Sequence, residues 1–117
     1  VNDLAWLLAE RGQLDEAEQL AREAVGGEPS NYAYWDTLGV VLMKLARMDE
    51  AEESLTKAIS LYVDAPGAKL HLAELYAATG RHDKAIELAE PLMERLSELD
   101  PVDQEKLRRL VRPASNR

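Results

Sequence analysis

The sequence predicts an all-α chain, a solenoid of three antiparallel helix pairs with a seventh helix capping the end. Three observations predict it. The phrase LDEAEQLA at residues 14–21 returns as MDEAEESL at 48–55 and HDKAIELA at 82–89, a fixed offset of 34 residues each time. Apolar residues ahead of each phrase recur at helical spacing, as in Leu4, Ala5 and Leu8. Between the two, Gly12, Ala46 and Gly80 stand where a helix would end. Self-similarity at such a period marks stacked supersecondary units, none of which buries its apolar face alone.

The first unit covers about residues 1–30. Its first helix puts Leu4, Ala5 and Leu8 on one face, and Gly12 can take the left-handed conformation that closes a helix. Asp15 fits the N-cap of the second helix, with Glu18 three residues on to complete a capping box. The second unit, about 31–64, repeats the arrangement with Leu38, Gly39 and Leu42, then Asp49 and Glu52. Its Ala46 must do a glycine's work at some cost. The third unit, about 65–98, has Leu72, Ala73, Tyr76, Gly80 and Asp83, and Ile86 in the third-residue place loses the box. Asp64, Ala65 and Pro66 fit its cap and start. Pro91 falls inside its second helix, where a missing donor and a clash with the preceding turn predict a kink. The column Ala17, Ala51, Ala85 lets paired helices approach closely. In residues 99–117, Asp100 and Pro101 fit an N-cap and first helical position, and Leu107, Leu110 and Val111 share a face. That seventh helix is placed to cover the last repeat, with Lys106, Arg108 and Arg109 toward water near its C-terminus.

Composition narrows the function. The chain has 117 residues, 46% hydrophobic and 31% charged, which fits one small folded domain. No run approaches the roughly 18 apolar residues of a membrane span, and the start VNDLAWLLAERG lacks the marks of an export signal. That start already lies inside a helical pattern, as expected of a segment of a longer protein, and the compartment stays undetermined. With no cysteine, disulfides and thiolate metal sites are excluded. The net charge of −8 divides unevenly: residues 104–117 carry +4 and residues 1–103 carry −12. An acidic body repels a phosphate backbone, so no nucleic-acid partner is expected.

A helix, tight turn and helix repeated at 34 residues, with Leu, a small residue, a large apolar one, then Gly and Ala, resembles the tetratricopeptide repeat. Trp35 takes the aromatic position opening the first helix of unit two, followed by Leu38, Gly39, Leu42, Ala51, Leu55 and Ala58. Unit one supplies Leu4, Ala5, Leu8, Gly12, Ala17, Ala21, Ala24 and Pro29, with Val1 at the aromatic position. Unit three supplies Leu72, Ala73, Tyr76, Gly80, Ala85 and Ala89, with Lys69 for the aromatic and Leu92 for the last alanine. The resemblance covers residues 1–98 and implies a right-handed superhelix whose first helices line a concave groove for extended or helical peptides. The outward first-helix positions are then the candidate partner-binding groove: Asn2, Trp6, Ala9, Asp36, Val40, Met43, Leu70, His71 and Glu74. One version of the family grips a C-terminal carboxylate with cationic and Asn side chains; Asn2, Trp6, Thr37, Gly67 and His71 stand at those places and do not reproduce the clamp.

The leading expectation is a noncatalytic protein-interaction module, an adaptor or scaffold, taking an apolar peptide or helix with basic residues toward the acidic body. On this reading Leu70→Glu would abolish binding and leave helicity intact. The alternative is a structural spacer or self-assembly segment, a homo-oligomer forming through an exposed first helix. An enzyme is the weakest reading. His71 and His82 are the only histidines, there is no Gly-rich phosphate loop, and no base pairs with a nucleophile at a meaningful spacing. His82, in the column of Leu14 and Met48, is expected to half-pack at a turn; His71 and Glu74 share a face but lack further ligands, so neither a metal nor a cofactor is expected. The acidic runs DEAEQ and DEAEES read as solvated helix faces.

Overall fold

A computed structural model describes residues 2–112. Val1, at the opening aromatic position, and residues 113–117, with Arg117 of the basic tail, lie outside the described residues. The described chain is helical throughout, with no strand: α1 (Asn2–Glu10), α2 (Leu14–Gly27), α3 (Tyr32–Lys44), α4 (Met48–Leu61), α5 (Pro66–Ala78), α6 (His82–Ala89), a 3-10 segment (Glu90–Glu98) and α7 (Pro101–Leu110). It forms two compact units, one up to Asp64 and one from Ala65 on.

The tight turns repeat in atomic detail. Gly12, Ala46 and Gly80 have φ of 80°, 62° and 82°. In each, the amide after the left-handed residue reaches back into the finished helix: Gln13 donates to the Leu8 carbonyl at 2.9 Å, Arg47 to Leu42 at 2.9 Å and Arg81 to Tyr76 at 2.8 Å. This bond, six residues closed on one, satisfies a carbonyl that the helix end leaves open. The same turn is thus built once with a methyl group in a region that favours glycine.

The second helix of each pair starts earlier than the Asp column predicts. The N-cap positions are Gln13, Arg47 and Arg81, none with a side-chain cap bond, so Asp15, Asp49 and Asp83 fall inside the first turn. The expected capping boxes do not form there. Their carboxylates act instead through the positive end of the helix dipole. Freed from the box, Glu18 accepts from Arg22 Nε at 2.9 Å and Arg47 Nη1 at 2.7 Å, joining α2 to the turn before α4. The hydrogen bond from Arg22, with Arg47 nearby, holds the Glu18 carboxyl below the ordinary glutamate range against an opposing effect of burial.

In the first unit α2 packs on both α1 and α3, and α4 packs on α3. Ala5, Ala17, Ala21, Val41, Ala51, Leu55 and Ala58 are fully enclosed. At Gly39 α3 approaches α4 closely: a Cβ there would lie 2.6 Å from Leu55 Cγ. Asn31 caps α3 by accepting from the Ala33 amide at 3.0 Å, and Trp35 Nε1 donates to the Pro29 carbonyl at 2.7 Å, tying the α2–α3 loop to α3. Leu4 departs from its column: it is 49% exposed, whereas Leu38 and Leu72 are buried. Within the unit α1 meets only α2 and α3, so no other described helix of the unit lies over that side of it.

In the second unit Leu70, Ala73, Ala89, Leu92, Leu99 and Leu107 make one core. Pro66 opens α5, with Ala65 at the N-cap and no side-chain bond from it. Pro91 does not bend a continuing α-helix. The helix changes type at Glu90, one residue before it, and the backbone departs from helical values at Arg95 (φ −119°, ψ 25°). Residues Glu90–Glu98, in 3-10 form broken by a kink at Arg95, place Pro91 in a first turn, where its missing donor is tolerated, and keep Leu92 in the core. Asp100 caps α7, accepting from the Asp103 amide at 2.8 Å, and Pro101 takes the first turn as predicted.

Candidate protein-interaction surface

The predicted groove residues fall into two groups of different character. On the first unit, α1 and α3 lie side by side and bring Asn2, Trp6 and Asp36 together. With Asp3, Leu7, Ala33 and Thr37 they line an open depression of about 500 Å³. Trp6 is 36% exposed beside Leu7 at 46%, an apolar wall next to two carboxylates. Asn2 Oδ1 is buried there without a hydrogen-bond partner among the described residues. Val40 and Met43, further along α3, do not line the depression; Val40 and Ala9 are buried and Met43 is half-buried.

On the second unit the outward reading of α5 is corrected. Leu70 shares the repeat column of Asn2 and Asp36, yet it is completely enclosed. The physical reason is α7, which folds onto α5 and brings Leu107 and Leu99 against that position. Leu70→Glu would bury an unpaired carboxylate in this core, so it reports on folding and not on binding. His71 is buried as well, and Glu74 makes an ion pair with Lys106 of α7 at 3.9 Å.

Other side chains sit where the sequence did not put them. His82 is exposed rather than half-packed. Tyr34 donates its hydroxyl to Glu28 Oε2 at 3.2 Å, and the Glu28 charge pushes the phenol above the ordinary tyrosine value. The Asn31 cap was available to sequence reasoning, since Asn immediately before an apolar run is a start signal. The Arg22–Glu18–Arg47 cluster was not, because it joins residues 29 apart. Among the described residues no three His, Asp or Glu side chains converge as metal ligands, and no helix is long and apolar enough to cross a membrane.

Comparison with known proteins agrees with the repeat geometry. Two tetratricopeptide repeat family models match the chain, one over residues 2–62 and one over residues 42–111. Protein POLLENLESS 3-LIKE 2 of Arabidopsis thaliana is 38% identical over 73 residues, 62% of this chain but 17% of that protein. Among solved structures, the Yersinia enterocolitica type III secretion chaperone SycD in complex with a peptide of the translocator YopD superposes with a TM-score of 0.76 at 16% identity, over 93% of this chain and 88% of that one. A thermophilic TPR protein of Thermus thermophilus gives 0.71 at 28% identity, over 86% of this chain and 51% of that one. The recurring turns, the small-residue columns and these matches lead to one conclusion: the chain belongs to the tetratricopeptide repeat family.

Proposed function

We propose that this chain is a noncatalytic protein-interaction module whose α1–α3 surface takes an apolar peptide or helix of a partner protein. The observation that carries the reading is the depression lined by Asn2, Trp6 and Asp36, where exposed apolar surface stands beside the carboxylates of Asp3 and Asp36. An aliphatic or aromatic side chain fits against Trp6 and Leu7, and a basic side chain suits Asp3 and Asp36. The peptide carried by SycD supports the mode of use by analogy of fold. Val40 and His71, which are buried, and Glu74, which is paired with Lys106, carry no part of this proposal. The test is affinity capture from the source lysate with the wild-type chain beside a Trp6→Ala, Asp36→Arg variant of unchanged helicity. A protein retained by the first and lost by the second supports the assignment. Equal capture by both sinks it.

A second reading rests on a separate observation: Leu4 and Leu7 are 49% and 46% exposed on α1. A spacer or self-assembly segment would bury them against another helix. Sedimentation of wild type and of Leu4→Glu, Leu7→Glu across a wide concentration range tests this, and strictly monomeric wild type argues against it.

A further inference from the structure

The second unit holds a pocket opposite in character to the acidic body. It opens where the first turn of α6 meets the last turn of α7, encloses about 290 Å³, and is floored by Ala85, Ile86 and Leu110. His82, Arg109 and Arg112 line it, and among the described residues no carboxylate does. In a chain of net charge −8 this is an unusual composition, and the basic residues are not consumed by the fold. Lys106 is engaged with Glu74 on α5, whereas among the described residues Arg109 has a 3.5 Å ion pair with Glu105 on its own helix, with both side chains more than half exposed. Such an exposed pair is readily exchanged for a better partner. Arg112 is exposed, and His82 is exposed at the start of a helix whose N-cap Arg81 supplies no side-chain acceptor for its amides.

We propose that this pocket is a docking site for a short acidic segment of a partner protein carrying one aliphatic side chain, the side chain on Ile86 and Leu110 and flanking carboxylates on Arg109, Arg112 and His82. Charge complementarity selects the partner's sign, and bidentate guanidinium contacts favour carboxylates. The apolar floor selects an aliphatic side chain and gives a polyanion without one little to hold. Nucleic acid is disfavoured further by the net −12 of residues 1–103. The site differs from the α1–α3 surface in both charge and position in the sequence, so either stands if the other fails.

The test uses the whole chain and a capped synthetic pentapeptide, Asp-Glu-Leu-Glu-Asp, followed by amide chemical shifts and by anisotropy of a labelled copy. The expected result is saturable binding with shifts at Ala85, Ile86 and Leu110. Arg109→Glu and Arg112→Glu should each weaken it by about fivefold or more, and Arg108→Glu, the same charge change on the exposed neighbour outside the pocket, by less than about twofold. Replacing the peptide leucine by glycine should also weaken binding. Equal loss with Arg108→Glu, equal binding of the glycine peptide, or the same shifts with a single-stranded oligonucleotide would reduce the site to unspecific attraction and overturn the proposal. Concentration-dependent shifts at these amides without peptide would identify a second copy as the occupant and overturn it too.

Discussion

Ala46 carries the one left-handed backbone conformation that is not glycine among the described residues, at φ 62° where Gly12 and Gly80 have 80° and 82°. Since the turn bonds are otherwise alike, Ala46→Gly should stabilise the chain by about 1 kcal/mol, read as a higher midpoint in urea. No change would mean that the left-handed strain is relieved elsewhere. Gly39 is the converse. A methyl group there meets Leu55 at 2.6 Å and 2.7 Å, so Gly39→Ala should cost about 1–3 kcal/mol despite alanine's better helix propensity. Glu18 links stability to pH. Its carboxyl is lowered by Arg22 and Arg47, so the stability it adds is fully present above the ordinary glutamate range and is lost as pH falls through its folded value. Glu18→Gln should therefore lower stability by about 1 kcal/mol or less at pH 7 and flatten the acid limb of the stability–pH curve; an unchanged acid limb would contradict the ion cluster. Small-residue columns were legible because each copy does the same packing job. Leu70 was misread for the same reason: repeat register assigned it the exposure of Asn2 and Asp36. The change from polar to apolar within the column was the available sign that something non-repeating, α7, covers it.

Among the elements, α7 departs from the repeat and is held in two ways that can be separated. Its cap rests on the bond from the Asp103 amide to Asp100, and Asp100→Ala should cost about 1 kcal/mol. Its packing is Leu107, fully enclosed against Leu70, Ala73 and Leu99, and Leu107→Ala should cost about 2–5 kcal/mol. Amide hydrogen exchange on α5 and α7 distinguishes the two, because loss of the cap should loosen α7 first, whereas loss of the leucine should loosen both helices together. Equal effects of the two substitutions would mean that α7 is not docked through Leu107. The seven α-helices of the described residues were legible from periodicity. Starts were less so, because Asp15, Asp49 and Asp83 suit both an N-cap and a first turn, and the tight turn bond decides between them. The 3-10 segment after Ala89 was legible only as a disturbance at Pro91; how the chain absorbs it depends on keeping Leu92 buried beside Leu88 and Leu96.

For the whole molecule, charge and repeat identity were plain from the sequence, and which of the candidate residues share a surface was legible in part. Asn2, Trp6 and Asp36 came together as the repeat register implied, whereas α7 removed Leu70 from the surface. No column pattern announces the basic pocket between α6 and α7, because it joins residue 82 to residues 109 and 112 across a non-repeating helix. The central claim is that the α1–α3 surface meets a partner. Photo-crosslinking tests it most directly: a photoreactive phenylalanine replaces Ala33, which lines the depression, in one chain and Glu53, on the exposed face of α4, in another, and both are irradiated in the source lysate. A discrete protein adduct from position 33, absent from position 53 and lost on adding Trp6→Ala, is the predicted result. The same adducts from both positions, or none from position 33, would contradict it.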